Sequence, residues 1–256
     1  MTERAIQGER TSCARLADAK ARASECAIRY EDLSFSYRAG APFMEGLSAA
    51  IPAGAVTSIV GPNGCGKSTL VKLAAGLLRP AAGRVEVAGR DTASLTSRER
   101  AHLMAVLAQT SRVPPMTVEA LVAWGRHPHL GWGGRLGPTD RAAVEAAMER
   151  AGVAVFRNHD LHQLSGGERQ RAHVARTLAQ DTDLIVLDEP TSSLTDSEIR
   201  ELFSIIRMLK AEGKTIFLTS HHFKDIEQLC DQVYSIEDCR LIPITEEIAA
   251  RYREME

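Results

Sequence analysis

The sequence has no excess of positive charge and no long apolar run. Its 31 Lys and Arg residues are balanced by 33 Asp and Glu residues, a formal net charge of −2, which excludes nucleic-acid binding through bulk positive charge. The longest uncharged stretch, residues 46–66, contains five glycines and two prolines, which would interrupt the backbone hydrogen bonds of a membrane-spanning helix. We therefore expect no nucleic-acid partner and no transmembrane segment.

Cysteine is also scarce and unpatterned. The five cysteines include no C-x-x-C spacing, so the sequence predicts neither a disulfide framework nor a zinc site, and a reducing, cytoplasmic setting fits best. Residues 1–27 mix charges of both signs without an apolar core, which excludes a secretory signal. We interpret them as a flexible N-terminal extension, with a docking arm as the alternative.

Short alternating apolar runs follow this extension. They predict strands at IRYEDLSFSY, FMEGLSAAI and VTSIV, then a helix at TLVKLAAGLL and a further strand at GRVEVAGR. From about residue 117 to 180 the apolar spacing becomes helical. Two nearly fully apolar runs, in DLIVLDEP and TIFLTSHH, are typical of buried parallel strands and flank a helix predicted at 196–212. This order predicts an α/β core with a right-handed crossover.

A phosphate-binding motif lies between a predicted strand and a predicted helix. Residues 61–69, GPNGCGKST, match G-x-x-x-x-G-K-[ST], in which glycines let backbone N–H groups face an anion and the helix N-terminus adds positive charge. We expect Lys67 to contact the β and γ phosphates of a nucleotide and the Ser68 hydroxyl to bind Mg²⁺. The alternative is a glycine-rich turn that matches by chance. The candidate phosphate-binding residues are Gly61, Asn63, Gly64, Gly66, Lys67, Ser68 and Thr69.

Two carboxylates end the apolar run LIVL. Asp188 is placed to reach Mg²⁺, and Glu189 to orient or deprotonate a water for in-line attack on the γ-phosphate. An Asp-Glu pair at a strand end is by itself usually part of a turn. Beside a P-loop, the catalytic interpretation is favoured.

A second anion site is indicated by LSGGE at 164–168. Ser165 and Glu168 form a capping box that opens the helix ERQRAHVARTLAQ. We expect Gly166 and Gly167 to leave the first N–H groups of this helix bare. A helix cap alone is the alternative, but two glycines are not needed for capping.

These elements, with Gln109 in MAVLAQ and His221 in FLTSHH, follow one another in an order that resembles the nucleotide-binding subunits of ABC transporters over roughly residues 28–240. The resemblance implies an α/β, P-loop NTPase core of the ABC ATPase type, with an antiparallel β subdomain and an inserted helical subdomain at about 110–180. Residues 241–256 would form a C-terminal tail. It also implies a head-to-tail homodimer, with ATP between the P-loop of one subunit and Ser165, Gly166 and Gly167 of the other.

The resemblance assigns three further roles. Tyr37 would stack on adenine, Gln109 would sense Mg²⁺ and the attacking water and couple the helical subdomain to a permease, and His221 would contact the γ-phosphate. An ordinary strand aromatic is the alternative for Tyr37. The family spacing to Asp231 selects His221 rather than His222, and a metal site at this His-His pair lacks further ligands at a useful spacing.

The loop after LIVLDEP departs from the family's pattern. Family members often read S-x-L-D there, whereas this chain reads SSLT at 192–195. Thr195 and Glu198 predict a capping box for the next helix, and Asp196 is the alternative as a partial substitute for the missing acid. The departure concerns communication between subunits more than nucleotide binding.

Two substrate classes are compatible with these motifs. GPNGCGKST, VLAQTSRVPPMTVEALVAWGRHPH and RTLAQDTDLIVLDEP are similar to the ATPases of iron chelate, haem or cobalamin importers, whereas PTSSLTDSEIRELFSIIRMLKAEGKTIF is similar to those of sugar importers. We favour the first class, because the helical subdomain is the part that faces the permease in this family.

The resemblance thus implies a peripheral enzyme on the cytoplasmic face of the cell membrane, which hydrolyses ATP with Mg²⁺. Its partners would be a second copy of itself, an integral membrane permease and a substrate-binding protein. A soluble ABC ATPase without transport, such as an iron-sulfur cluster assembly factor, is one alternative. A nucleotide-binding regulator with little turnover is another.

Overall fold

The structure is a computed structural model, which describes residues 26–38, 40–109, 115–131, 134–192, 194–221 and 223–255. The predicted N-terminal extension lies outside these residues except for its last two positions, which belong to the first strand. No helix within the described ranges is both long enough and apolar enough to cross a lipid bilayer.

A four-stranded antiparallel sheet opens the fold. Its strands are β1 (Cys26–Phe35), β2 (Met44–Pro52), β4 (Ala82–Val87) and β5 (Arg90–Asp91), in the order β2-β1-β4-β5. β1 pairs with strands on both sides, so that Tyr30 lies opposite Ala49 and Val85. The predicted strands and the predicted antiparallel subdomain are confirmed.

A six-stranded sheet forms the centre of the molecule. It contains β3 (Val56–Val60), β6 (Met104–Leu107), β7 (Leu184–Asp188), β8 (Thr215–Ser220), β9 (Gln232–Glu237) and β10 (Arg240–Pro243), in the order β10-β9-β3-β8-β7-β6. All neighbours are parallel except β10 on β9. β3, β7 and β8 are buried along their whole length, as expected for strands covered on both faces. The predicted α/β core is confirmed.

Helices cover both faces of the parallel sheet. Those in the described ranges are α1 (Lys67–Ala74), α2 (Ser97–Leu103), α3 (Val118–Trp124), α4 (Pro138–Arg150), α5 (Gly166–Ala179), α6 (Asp196–Ala211), α7 (Phe223–Ile226) and α8 (Glu246–Met255). α3, α4 and α5 pack against one another. They form the predicted helical region, although the exact division into subdomains stays a prediction.

Two hydrophobic cores lie on opposite faces of the parallel sheet. Because side chains alternate along a strand, Ile216 and Leu218 face the core shared with α3–α6, whereas Phe217 between them faces the core shared with α1 and the antiparallel sheet. The central sheet is therefore held from both sides, and its strand ends are fixed in position.

Helix α1 ends four residues before the end of the helix predicted from TLVKLAAGLL. Gly76 has a φ of +65°, its N–H donates to Leu73 O, and the Leu77 N–H donates to Lys72 O. This pair of bonds is a Schellman motif, which closes a helix at a glycine in the left-handed conformation. Gly76 therefore ends the helix, four residues before Pro80.

The C-terminal tail predicted at 241–256 begins inside a strand, since β10 spans Arg240–Pro243. The tail then forms α8, which packs on α7. The Tyr252 ring lies 5.8 Å from the Phe223 ring, and Arg253 pairs with Glu227. The tail thus contains a short helix, and this helix docks on α7.

Candidate functional site

The predicted P-loop connects β3 to α1. Its glycines adopt positive φ angles, +152° at Gly61, +85° at Gly64 and +113° at Gly66, which L side chains rarely adopt. Gly66 is also the N-cap of α1 and supplies no side-chain cap. The first N–H groups of the helix are therefore available to an anion.

Lys67 is a buried cation at this loop. Its side chain is only 3% exposed, and its Nζ donates to Gly61 O at 2.7 Å and to Pro62 O at 3.1 Å. Glu189 Oε1 lies 3.4 Å from the same Nζ. The carbonyl contacts hold the ammonium group where it can meet a phosphate.

Asp188 and Ser68 come together at the carboxyl end of β7. Asp188 Oδ1 accepts a hydrogen bond from Ser68 Oγ at 2.9 Å and another from Thr219 Oγ1 at 2.8 Å. A carboxylate and a hydroxyl are oxygen ligands that suit Mg²⁺, which usually binds one or two protein groups together with phosphate oxygens and water. Within the described ranges, no cluster of three or more His, Cys, Asp or Glu side chains could hold a metal by itself. The residues present fit Mg²⁺ that arrives with a nucleotide.

Glu189 is the centre of the site. Its carboxylate is 7% exposed and lies between three predicted partners: Lys67, Gln109, whose Nε2 donates to Glu189 Oε2 at 2.6 Å, and His221, whose Nδ1 is 3.6 Å from the same oxygen. The backbone of Glu189 has a φ of +48°, a strained conformation typical of functional positions. The structure therefore places the side chains of Gln109, Glu189 and His221 close together, as the sequence analysis predicts. His222 lies outside the described residues.

Thr219 orients both carboxylates and was missed by the sequence analysis. Its hydroxyl donates to Asp188 and accepts the Glu189 N–H at 3.0 Å. The only signal in the sequence was a threonine near the end of the apolar run TIFLTS. Because its role depends on the register that pairs Asp188 with Thr219, the sequence pattern alone could not reveal it.

Tyr37 stands at the rim of the nucleotide cavity. The side chain is 56% exposed, and its hydroxyl lies 2.8 Å from Thr69 Oγ1. Phe43, which the sequence analysis missed, packs edge-to-face on Tyr37 at 5.3 Å between ring centroids. The placement of Tyr37 is compatible with adenine stacking, which stays a prediction.

The cavity has a volume of about 370 Å³. It joins the aromatic rim to the P-loop and the catalytic carboxylate, and its lining includes most of the predicted nucleotide site. The lining residues are Tyr37, Phe43, Asn63, Gly64, Gly66, Lys67, Ser68, Thr69, Gln109 and Glu189.

Ser165, Gly166 and Gly167 begin α5 and are not among the residues that line this cavity. The predicted capping box is confirmed: the Ser165 N–H donates to Glu168 Oε2 at 2.8 Å, and the Glu168 N–H donates to Ser165 Oγ at 3.2 Å. Hydrogen bonds from the backbone and hydroxyl of Ser165 lower the pKa of Glu168. A single chain therefore does not bring this half-site to its own P-loop.

The prediction that both glycines leave bare N–H groups is only half correct. Ser165 and Gly166 are exposed, but Gly167 is buried. A Cβ at Gly167 would lie 1.8 Å from Glu198 Oε1. Position 167 therefore needs a glycine to avoid a steric clash, which the motif LSGGE does not reveal. The cause is a carboxylate from another helix, α6.

Thr195, the last residue of the segment that departs from S-x-L-D, forms the predicted second capping box with Glu198. Both the N–H and the hydroxyl of Thr195 donate to Glu198 Oε2, each at 2.9 Å. These bonds lower the pKa of Glu198. Asp196 is exposed at the start of α6, and its role as a substitute for the missing acid stays a prediction.

Comparison with known proteins confirms the resemblance. Residues 44–192 match the family described as ABC transporter. The chain is 39% identical over 180 residues to the iron(3+)-hydroxamate import ATP-binding protein of Bacillus subtilis, with 70% of this chain and 67% of that protein covered. It is 39% identical over 206 residues to the cobalamin import ATP-binding protein of Halobacterium salinarum, with 79% and 51% covered. The chain thus spans about half the length of that second relative.

A solved structure supports the fold. The chain is similar to cbiO1 from Clostridium perfringens, part of the ABC transporter complex cbiONQ, with a TM-score of 0.77 at 24% identity, covering 91% of this chain and 96% of that chain. At this identity the likeness shows the fold alone. Together with the sequence matches, it establishes that the chain belongs to the ABC transporter family and is one of its ATPases.

Proposed function

We propose that the chain is the ATP-hydrolysing subunit of an importer that takes up an iron-siderophore, haem or cobalamin-type substrate through a membrane permease. The observation that carries the hydrolytic part is the Glu189 carboxylate, which lies between Lys67, Gln109 and His221. Import and the substrate class rest on the similarity to an iron(3+)-hydroxamate and a cobalamin import ATP-binding protein.

Hydrolysis follows from the groups around Glu189. A water oxygen attacks the γ-phosphorus, the bond to the leaving oxygen of ADP breaks, and Glu189 accepts the proton of the water. Lys67 neutralises charge on the β and γ phosphates, and His221 contacts the γ-phosphate. Ser68 and Asp188 would hold Mg²⁺, which neutralises further charge on the phosphate oxygens.

Two chains complete two sites in this proposal. Ser165, Gly166 and Gly167 do not line the nucleotide cavity of their own chain. The exposed residues Ser165 and Gly166 lie at the N-terminus of the 14-residue helix α5, which is its positive end. A second copy, placed head to tail, would bring its Ser165 and the N-terminus of its α5 into contact with the γ-phosphate. Binding of ATP would then favour the closed dimer, and loss of the γ-phosphate would release it.

A groove beside the helical region offers a surface for the permease. It has a volume of about 540 Å³ and is lined by Trp124, His127, Arg176 and Gln180, among others. Trp124 is 47% exposed, and burial lowers the pKa of Arg176. An exposed aromatic ring and a partly buried cation that line the same groove suit a protein segment that brings a carboxylate. The chain would bind there as a peripheral subunit on the cytoplasmic face.

The proposal is tested by isolating the tagged chain from membranes of its own cells. We expect a permease and a binding protein of the iron chelate or cobalamin class to co-purify, and ATP hydrolysis to rise when the substrate-loaded binding protein is added. Trp124→Ala should weaken the association with the permease, whereas Leu77→Ala, which removes another exposed apolar side chain, should not. Purification with soluble partners alone would refute a role in transport.

A sugar importer is the second candidate. The loop at 192–195 and the capping box of Thr195 with Glu198 favour it, because this segment is similar to the corresponding segment of sugar importer ATPases. Co-purification of a sugar permease would select this candidate and would leave the hydrolytic mechanism unchanged.

A further inference from the structure

Glu198 contacts two helices: α6, to which it belongs, and α5, whose N-terminus is part of the predicted ATP site. It belongs to the first turn of α6, where its Oε2 accepts both hydrogen bonds from Thr195. Its other oxygen, Oε1, lies directly against Gly167 in the first turn of α5, at 1.8 Å from the position of a Cβ. One carboxylate therefore caps its own helix and covers the N-terminus of another.

Neighbouring contacts keep the two helix ends together. Arg171 of α5 pairs with Glu201 of α6, and Gln170 Nε2 donates to Pro190 O at 3.3 Å. Hydrogen bonds from Thr195 are the main cause of the lowered pKa of Glu198, and the Gly167 backbone and Arg171 add to it. Glu198 is therefore ionised near neutral pH, and it lies against the positive end of α5.

The position of this carboxylate matters because few amide groups of α5 remain available. The Glu168 N–H is already bound by Ser165 Oγ, which leaves Gly166 and Gly167 as the first-turn donors. Gly166 is exposed, with nothing within 4 Å of a Cβ there, whereas Gly167 is buried under Glu198. A phosphate of a partner chain and the Glu198 carboxylate are both anions, and they cannot occupy this position together.

We propose that Glu198 is an internal stand-in for the γ-phosphate, which covers Gly167 in the separate chain and moves away when a partner's ATP arrives. The inference rests on the proposed function, in which Ser165, Gly166 and Gly167 complete the ATP site of a second copy. Release of Glu198 would also remove its hydrogen bonds from Thr195 and loosen the first turn of α6, which follows Glu189 by seven positions in the sequence. Binding of ATP at one site would thereby change the surroundings of Glu189, the catalytic carboxylate of the neighbouring site.

The experiment measures ATP-dependent dimerisation by analytical ultracentrifugation in the Glu189→Gln background, which slows hydrolysis. Adding Glu198→Gln removes the competing charge but keeps an oxygen that can accept from Thr195. We expect the ATP concentration at half-maximal dimerisation to fall about twofold to fivefold, the range that a charge at a helix terminus gives for each of the two ATP molecules bound. Higher salt should reduce this difference.

A matched control is Glu99→Gln. Glu99 forms the same capping box with Thr96 at the start of α2, where its Oε2 accepts the Thr96 N–H at 2.9 Å. This substitution should leave the midpoint of dimerisation unchanged. Glu198→Asp is the second test variant, since its shorter side chain keeps a negative charge for capping but withdraws it from Gly167. It should lower the midpoint in the same direction.

The outcomes separate the inference from the proposed function. If the Glu189→Gln chain dimerises with ATP but both Glu198 variants leave the midpoint unchanged or raise it, Glu198 is only a helix cap and the inference is overturned. If the Glu189→Gln chain does not dimerise at any ATP concentration, the shared ATP site itself is wrong, and the inference falls with it.

Discussion

Replacing Glu189 by Gln should separate ATP binding from ATP hydrolysis. Gln keeps the shape of the side chain and an oxygen that can accept from Gln109, whose Nε2 lies 2.6 Å away. It removes the base and the negative charge beside Lys67. We expect the hydrolysis rate to fall by about 10² to 10⁴, the usual contribution of a positioned acid or base.

The same substitution should strengthen the binding of ATP. Lys67 Nζ lies 3.4 Å from Glu189 Oε1, and both side chains are buried. At an effective dielectric constant near 20, a pair of charges at this distance attracts by about 5 kcal/mol. Most of this is offset, because Lys67 keeps its two carbonyl contacts and the phosphates must be desolvated. A net gain of about 1.4 kcal/mol corresponds to roughly tenfold tighter binding.

The assay measures phosphate release at chain concentrations that allow dimerisation. ATP binding is measured separately, by titration of a fluorescent ATP analogue at chain concentrations too low for dimerisation. Glu149→Gln, an exposed position on α4, is the control for a carboxylate-to-amide change and should affect neither quantity. Hydrolysis within about threefold of the unmodified chain, or weaker ATP binding by the Glu189 variant, would refute the assignment of Glu189 as the base opposite Lys67.

Three further predictions concern the rim, a helix contact and a buried histidine. Tyr37→Ala should raise the dissociation constant for ATP about fivefold or more, because base stacking contributes about 1–3 kcal/mol, whereas Tyr37→Phe should change it little; equal losses in equilibrium titrations would contradict stacking. Gly125→Ala should lower the free energy of unfolding, measured in urea, by about 1–3 kcal/mol, because its Cβ would lie 2.2 Å from Arg176 O. Gly131→Ala places a Cβ where nothing lies within 4 Å and should leave the free energy of unfolding unchanged. Burial lowers the pKa of His173 from 6.5 to about 4. Between pH 6.5 and about pH 4 the unfolded chain therefore binds more protons than the folded chain, and lowering the pH from 7 to 5 should reduce the free energy of unfolding by about 2 kcal/mol. The same loss in the His173→Gln variant would refute His173 as its cause.

The P-loop and the order of elements could be predicted because their signals are local. Each predicted strand or helix corresponds to one in the structure, and the glycines of residues 61–66 need positive φ angles wherever the loop is placed. Helix ends were less predictable. The end of α1 depends on hydrogen bonds around Gly76, and the apolar residues beyond it continue the helical pattern.

Contacts between distant segments could not be predicted. Thr219 meets Asp188 only through the pairing of β7 with β8, and Phe43 meets Tyr37 only because its N–H donates to Phe35 O across the turn. Glu198 reaches Gly167 across 31 positions of sequence. Its own motif indicates a helix cap, and this is correct but incomplete.

The central claim is that ATP binds between two chains. A crystal structure of the Glu189→Gln chain with Mg²⁺ and ATP tests it most directly. We expect a head-to-tail dimer in which one γ-phosphate lies within about 3 Å of Lys67 Nζ of its own chain and of the partner's Ser165 Oγ. A single chain that encloses ATP by itself, with Ser165 remote from every nucleotide, would contradict the claim.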